Sequence, residues 1–319
     1  MTKLTTADTA RYLLERDSFL ILTHRRPDGD TLGSAAALCR SLRSLGKQAF
    51  VLENPEITPK YQFLFEGLTK TAPEQTDVLV AVDVASTNML PQSFSALADK
   101  IDLRIDHHGT AQSFTKCELV DPAAAACGQI IYDVLIEMGA TIDAPTAKAL
   151  YTAISTDTGC FRYANTQAHT FSVAAACAAS GADLYSLNQL LFETNSLARL
   201  RIQGWMVENA KFIAGGKICV CALPLEVEKQ IGVTEDDMEN ISGVPRSIEG
   251  VKIAATLRQE KDTGKVKLSI RAVPGYDAGA ICAKFGGGGH KGAAGASFRC
   301  SLPEAAEKVK QAMEGLHIH

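Results

Sequence analysis

FLILTHRRPDGD, residues 19–30, runs from four apolar side chains straight into a histidine, two arginines and two aspartates. Phe19–Thr23 has the length and apolar continuity of a strand buried on both faces, and the alanine-rich Thr31–Leu45, closed by Gly46 as a C-cap, reads as the helix that follows. The pattern recurs downstream. Ala49–Leu52, Val78–Val82 and Leu103–Ile105 are further short apolar strands, and Cys127–Met138 (closed by Gly139), Ala144–Ile154 and Ala168–Ala179 further helices. Such alternation predicts an α/β domain built on a doubly wound, mostly parallel sheet. Ligands of these sheets gather at the carboxyl ends of strands, and three of the strands end in polar residues: HRRPDGD, Asp83, and Asp106-His107-His108.

Beyond residue 184 the texture changes. Leu184–Lys211 has helical character and carries the only tryptophan, which suggests a connector. Strands are expected at Lys217–Ala222, Val251–Arg258, Lys265–Arg271 and around Ala296–Arg299, with helices near Asp277–Phe285 and at Pro303–Leu316. The expected organisation is a catalytic domain over 1–185, a helical linker over 186–211 and a smaller α/β substrate-binding domain over 212–319. A length of 319 residues suits two domains, and 46% hydrophobic with 21% charged residues excludes disordered, collagen-like and coiled-coil classes.

A formal charge of -4 gives no global basic field, so a nucleic-acid substrate should be short. Lys3, Asp8, Arg11, Glu15 and Arg16 leave no room for an apolar leader, and the uncharged run Tyr163–Ala182 is broken by polar residues, so it reads as a buried helix rather than a membrane span. Nine cysteines without a CxxC pair predict free thiols in a reducing cytoplasm.

His24, Asp28 and Asp30 offer one nitrogen and two carboxylates from a single turn, a donor mixture suited to a divalent metal. DGD alone would equally be a polar turn with an N-cap. It is not alone: Asp83, the Asp106-His107-His108 run and Asp157 within Ser155-Thr156-Asp157-Thr158-Gly159 bring the same donor types towards the same sheet edge. Carboxylates so crowded repel one another, and a pair of cations resolves the repulsion. Two metals can clamp a phosphate and activate water, which points to phosphoester hydrolysis. In the second half Gly286–Gly289 would let backbone amides approach a phosphate or base, with Arg271 and His290 beside them; a glycine run by itself reads as a flexible loop.

The order HxxxDxD, lone aspartate, DHH and a later aspartate in TDTG resembles the DHH phosphoesterase superfamily, and LSIRA followed by FGGGGHKGAAG resembles its DHH-associated C-terminal domain. The two-domain length is similar to that of the bacterial oligoribonuclease and 3'-phosphoadenosine-5'-phosphate phosphatase (nanoRNase) family. That resemblance implies His24, Asp28 and Asp83 on one metal, Asp30, Asp83, His107 and Asp157 on the other, and Asp106 orienting His107. It implies His108 as phosphate binder or general acid, and Arg271, Gly287, Gly288, Gly289 and His290 at the substrate's far end, with Lys291, Arg258 and Lys284 adding to a basic patch. Two manganese ions are the expected cofactor, short single-stranded RNA and nucleoside bisphosphates the expected substrates, and a homodimer is left open. The chain departs from the usual pattern at Ala111 and Gln129, which bear on substrate positioning. Linear dinucleotides derived from cyclic di-AMP are the nearest alternative substrates. Pyrophosphate or polyphosphate hydrolysis is disfavoured by the GGGH segment, and a non-enzymatic nucleotide sensor by the complete ligand set.

Overall fold

Phe19–Leu22 (β2) forms the expected strand, and its alternation decides the layers. Phe19 and Ile21 enter one core while Leu20 and Leu22 enter another on the opposite face. The computed structural model describes residues 1–72, 78–109, 113–261 and 263–316. They fall into two compact units, Met1–Thr194 and Asn195–His319.

The first unit is built on a seven-stranded sheet in which every pairing is parallel. Its strands are β1 (Thr2–Lys3), β2, β3 (Ala49–Leu52), β4 (Thr69–Lys70), β5 (Val78–Val82), β6 (Leu103–Asp106) and β7 (Cys117–Val120), in the order β1-β7-β6-β5-β2-β3-β4. The winding reverses between β2 and β5, so the loops leaving these strands open a crevice at the switch point. One face is covered by α2 (Gly29–Ser44), α3 (Cys127–Glu137), α4 (Ala144–Asp157) and α5 (Ala168–Ala179), following α1 (Thr6–Leu14). The other face packs against a 3-10 segment, Gln92–Lys100, through Phe94 and Leu97. Two glycines let α2 and α4 approach closely: a Cβ on Gly33 would lie 2.4 Å from the Ala149 carbonyl oxygen, and one on Gly29 would lie 2.4 Å from Thr156 Oγ1. This contact brings the start of α2 beside the end of α4.

The expected connector, 186–211, is shared between the units. Leu187 of α6 (Leu184–Asn188) and Leu191 are buried in the first core, whereas Ile202 and Met206 of α7 (Leu197–Glu208) are fully buried in the second. The second unit holds a six-stranded mixed sheet of β8 (Lys211–Ile213), β9 (Ile218–Leu223), β10 (Ile253–Gln259), β11 (Val266–Ala272), β12 (Gly288–Gly289) and β13 (Ala293–Phe298), with α8 (Leu225–Ile231), α9 (Ala278–Ala283) and α10 (Leu302–Glu314). All nine cysteines are free. Among the described residues no helix is long and apolar enough to cross a membrane.

Candidate metal centre

His24 leaves β2 with its Nδ1 2.8 Å from the Arg25 carbonyl, an arrangement that assigns a proton to Nδ1 and turns Nε2 inward towards the carboxylates. Nε2 lies 3.5 Å from both Asp28 Oδ1 and Asp83 Oδ2. Buried Asn54 fixes this loop by donating to Thr23 Oγ1 and to the His24 carbonyl, each at 3.0 Å. Asp28 is the N-cap of α2, accepting the Asp30 and Thr31 amides.

Asp30 is 1% exposed and is held from across the core. It accepts the Cys127 amide at 2.7 Å, the Gly128 amide at 2.9 Å and the Ser34 hydroxyl at 3.2 Å. Ala126 at the N-cap of α3 provides no capping side chain, so a carboxylate from α2 satisfies that helix terminus instead. Gly128 lets α3 lie close against α4 here, since a Cβ there would lie 2.4 Å from the Ala153 Cβ.

Asp83 follows β5 with a left-handed backbone, φ 58°, its amide donating to the Ile105 carbonyl at 2.9 Å. A non-glycine residue in that region costs on the order of 1–3 kcal/mol and is held there only by strong surroundings. The turn aims the carboxylate at three imidazoles: His24, and His107 Nε2 and His108 Nδ1, each 3.5 Å from Oδ1. His107 Nε2 also lies 3.8 Å from Asp30 Oδ2 and 3.8 Å from Asp157 Oδ2, while its Nδ1 is 3.3 Å from the Ala124 carbonyl. Asp157 ends α4, and Asn165 reaches both its carbonyl (3.2 Å) and its Oδ2 (3.5 Å).

Asp106, expected to orient the His107 ring, instead holds His108. Its Oδ1 takes the His108 Nδ1 proton at 2.8 Å and accepts the His107 and His108 amides. The backbone turn at the end of β6 puts the second ring, not the first, within reach of that carboxylate, and the His107 ring is oriented by the Ala124 carbonyl.

Burial, and then the neighbouring carboxylates of Asp83, Asp157 and Asp28, push the Asp30 carboxyl well above its usual range. Burial likewise raises Asp83, and burial with the charges of Asp83 and Asp28 pushes Asp157 up to about 7. Burial would lower His108, but the Asp106 hydrogen bond and the nearby Asp83 carboxylate outweigh it and push the imidazole up to about 9. His24 is raised well above its ordinary value against the effect of burial by hydrogen bonds to Asp28 and Asp83. The cluster therefore calls for cations. Asp83 Oδ1 is buried and accepts no hydrogen bond among the described residues, and three overlapping sets place ligand atoms within 4.8 Å of one another: His24-Asp28-Asp83, Asp30-His107-Asp157 and Asp83-His107-His108. Mixed carboxylate and imidazole donors of this kind fit divalent first-row ions.

The residues singled out in the second unit lie along β11, β12 and β13. Arg271 stands opposite Ala293, and the exposed His290 donates its amide to the Ala293 carbonyl at 2.8 Å. Gly287 and Gly289 are demanded by packing: a Cβ would lie 2.1 Å from the Gly295 oxygen at the first and 2.6 Å from the Ala294 Cα at the second, whereas Gly288 faces open space. Arg258, placed by sequence in a basic patch, forms a two-pronged pair with buried Glu228 at 2.7 and 2.9 Å, and Lys284 is the C-cap residue of α9. Gln129 is buried and accepts the Thr170 hydroxyl at 2.9 Å; Ala111 lies outside the described residues. Asn54 and Asn165 were not legible as site residues, because nothing in a lone asparagine tells which loop it will hold.

Residues 18–154 match the family model described as DHH family, N-terminal domain, and residues 215–315 match the DHHA1 domain. The chain is 34% identical over 299 residues to the bifunctional oligoribonuclease and PAP phosphatase NrnA of Thermus thermophilus, covering 92% of this chain and 88% of that one. It is 26% identical to the cyclic-di-AMP phosphodiesterase GdpP of Geobacillus thermodenitrificans over 94% of this chain and 48% of that one. The crystal structure of an exopolyphosphatase-related protein from Bacteroides fragilis shares its fold with a TM-score of 0.84 at 25% identity, over 97% of this chain and 95% of the other.

Proposed function

The chain belongs to the DHH family of metal-dependent phosphoesterases, and from that premise we propose that it hydrolyses short oligoribonucleotides to mononucleotides and removes the 3'-phosphate of 3'-phosphoadenosine-5'-phosphate. The observation that carries the proposal is Asp83, a buried carboxylate fixed in a left-handed turn among His24, His107 and His108 with one oxygen accepting no hydrogen bond among the described residues. The likeness to the Thermus thermophilus oligoribonuclease and PAP phosphatase supports the choice of substrates.

His24, Asp28 and Asp83 are proposed to hold one divalent ion, and Asp30, Asp83, His107 and Asp157 a second, with manganese preferred because imidazole accompanies the carboxylates. Bound there, the ions supply Lewis-acid polarisation of a phosphoryl oxygen and make water more acidic. The protein's own part is positioning. Asp106 fixes the His108 ring by its Nδ1, and the remaining ring nitrogen is offered to the phosphate or to the leaving oxygen. In the second unit Arg271, His290 and the backbone of Gly287, Gly288 and Gly289 are proposed to contact the substrate.

The likeness to a cyclic-di-AMP phosphodiesterase, of which this chain spans about half, favours linear dinucleotides as a second substrate reading. A panel separates them: protein with manganese against two- to five-nucleotide RNA, longer RNA, 3'-phosphoadenosine-5'-phosphate, a linear adenosine dinucleotide, pyrophosphate and polyphosphate. The proposal expects turnover of short RNA and of the bisphosphate. Turnover of pyrophosphate or polyphosphate alone would overturn it.

A further inference from the structure

Arg104 is a charged residue in the middle of a parallel sheet, 1% exposed, on a strand whose neighbours Leu103 and Ile105 are core. Among the described residues its guanidinium meets Glu118, Ala85, Asp106 and Phe114. One arm meets Glu118, the residue directly opposite on β7, at 2.5 Å. The other donates to the Ala85 carbonyl at 3.2 Å, two residues beyond the left-handed turn at Asp83, and lies 3.8 Å from Asp106 Oδ2. Phe114 lies beneath the guanidinium, 5.1 Å from ring centroid to Cζ. Asp106 is itself fully buried, and while Oδ1 is occupied by His108 and two amides, Oδ2 accepts no hydrogen bond among the described residues. The arginine is the positive charge that faces it.

We infer that Arg104 is a positioning residue for the reaction: it acts through Asp106 to hold His108, and through Ala85 to hold the turn that aims Asp83. The inference rests on the phosphoesterase reading. With Arg104 removed, the buried Oδ2 of Asp106 would face no partner among the described residues and would seek a different one or a proton, and either change disturbs the His108 ring held on Oδ1. Glu118 balances the arginine, so the strand pair carries no net charge beyond that of Asp106. Lysine cannot replace the arginine fully, because a single ammonium has no planar fork to address Glu118, Ala85 and Asp106 together.

Two variants separate positioning from packing, Arg104→Lys and the apolar double replacement Arg104→Met/Glu118→Met. Removing a buried ion pair as a pair is often tolerated, so the double variant is expected to melt within a few degrees of the wild type. On bis-p-nitrophenyl phosphate with manganese, kcat should fall about tenfold in Arg104→Lys and about a hundredfold in the double variant, with KM within about threefold. A second readout needs neither metal nor turnover: the downfield Nδ1 proton resonance of His108 in metal-free protein, identified by its loss in His108→Gln, should shift upfield or broaden in both variants. Wild-type kcat in either folded variant, a loss confined to KM, or an unmoved His108 resonance would overturn the inference. A wild type inactive on every phosphoester would defeat the functional reading instead, and the resonance would still decide whether Arg104 holds His108.

Discussion

Asp83 is more strongly constrained than any other residue of the site, with an unfavourable backbone, a buried charge and three imidazoles around it. Asn tolerates the left-handed region as well as Asp does and removes the charge. Asp83→Asn should therefore leave the metal-free protein at least as stable as the wild type while lowering turnover by about a thousandfold or more, a scale fitting loss of a shared ligand; melting curves and rates on one preparation check both halves. The same crowding sets a pH dependence. Asp157 at about 7 and His24 above its ordinary value both bind protons more tightly folded than unfolded, so the stability they contribute is present at low pH and lost as pH rises through their folded values. Melting temperature of the chelator-treated protein should thus fall between about pH 5 and 8, and added manganese should reverse the fall; a rise over that window would contradict the assignment. At this scale the sequence singled out His24, Asp28, Asp30, Asp83, His107 and Asp157 by their donor types, and the fold brings these side chains together. The sequence was not legible for Arg104 or Asn54, whose roles depend on the backbone that folds across them.

Helices α2 and α4 meet through small residues, and the meeting places Asp28 and Asp30 beside Asp157. Gly33→Val would drive a side chain into the Ala149 carbonyl, a backbone atom that cannot move alone. It should destabilise the protein by about 1–3 kcal/mol in urea unfolding and weaken manganese binding, because the two helix ends separate. Retained stability with normal metal affinity would mean that the close helix contact does not build the site. The strands β2, β3 and β5 were readable because parallel strands buried on both faces are continuously apolar, and β6 from Leu103 and Ile105 on either side of Arg104 and from the Asp106-His107-His108 run at its end. The outer strands β1 and β4, of two residues each, fall below any periodicity, and β7, which holds buried Glu118, breaks the apolar run that marks the others. Helix α1 carries a capping box between Thr5 and Asp8, yet its charges and short length gave it no weight beside the alanine-rich helices. The layer opposite them is a 3-10 segment whose two anchoring residues, Phe94 and Leu97, set no regular period.

The molecule folds as two units, each with its own core. The donor cluster lies wholly in the first, whereas Arg271 and His290 belong to the second, so substitutions in the two should have different kinetic signatures. Arg271→Ala or His290→Ala should raise KM for short RNA by about tenfold and leave bound manganese unchanged, with a smaller effect on bis-p-nitrophenyl phosphate, which is too small to use every contact. Equal losses on both substrates would remove the second unit from substrate binding. The boundary between the units was the least legible feature of the whole, because Leu187 and Leu191 belong to one core and Ile202 and Met206 to the other although all lie in one stretch of helical character. What most directly tests the account is a titration of manganese into chelator-treated protein, with bound ion per chain and hydrolysis of a diribonucleotide followed together. The account predicts no hydrolysis at the start, activity that rises as about two ions bind per chain, and fewer than about one ion bound by Asp83→Asn. Hydrolysis without added metal, or the same number of ions bound by the variant as by the wild type, would contradict it.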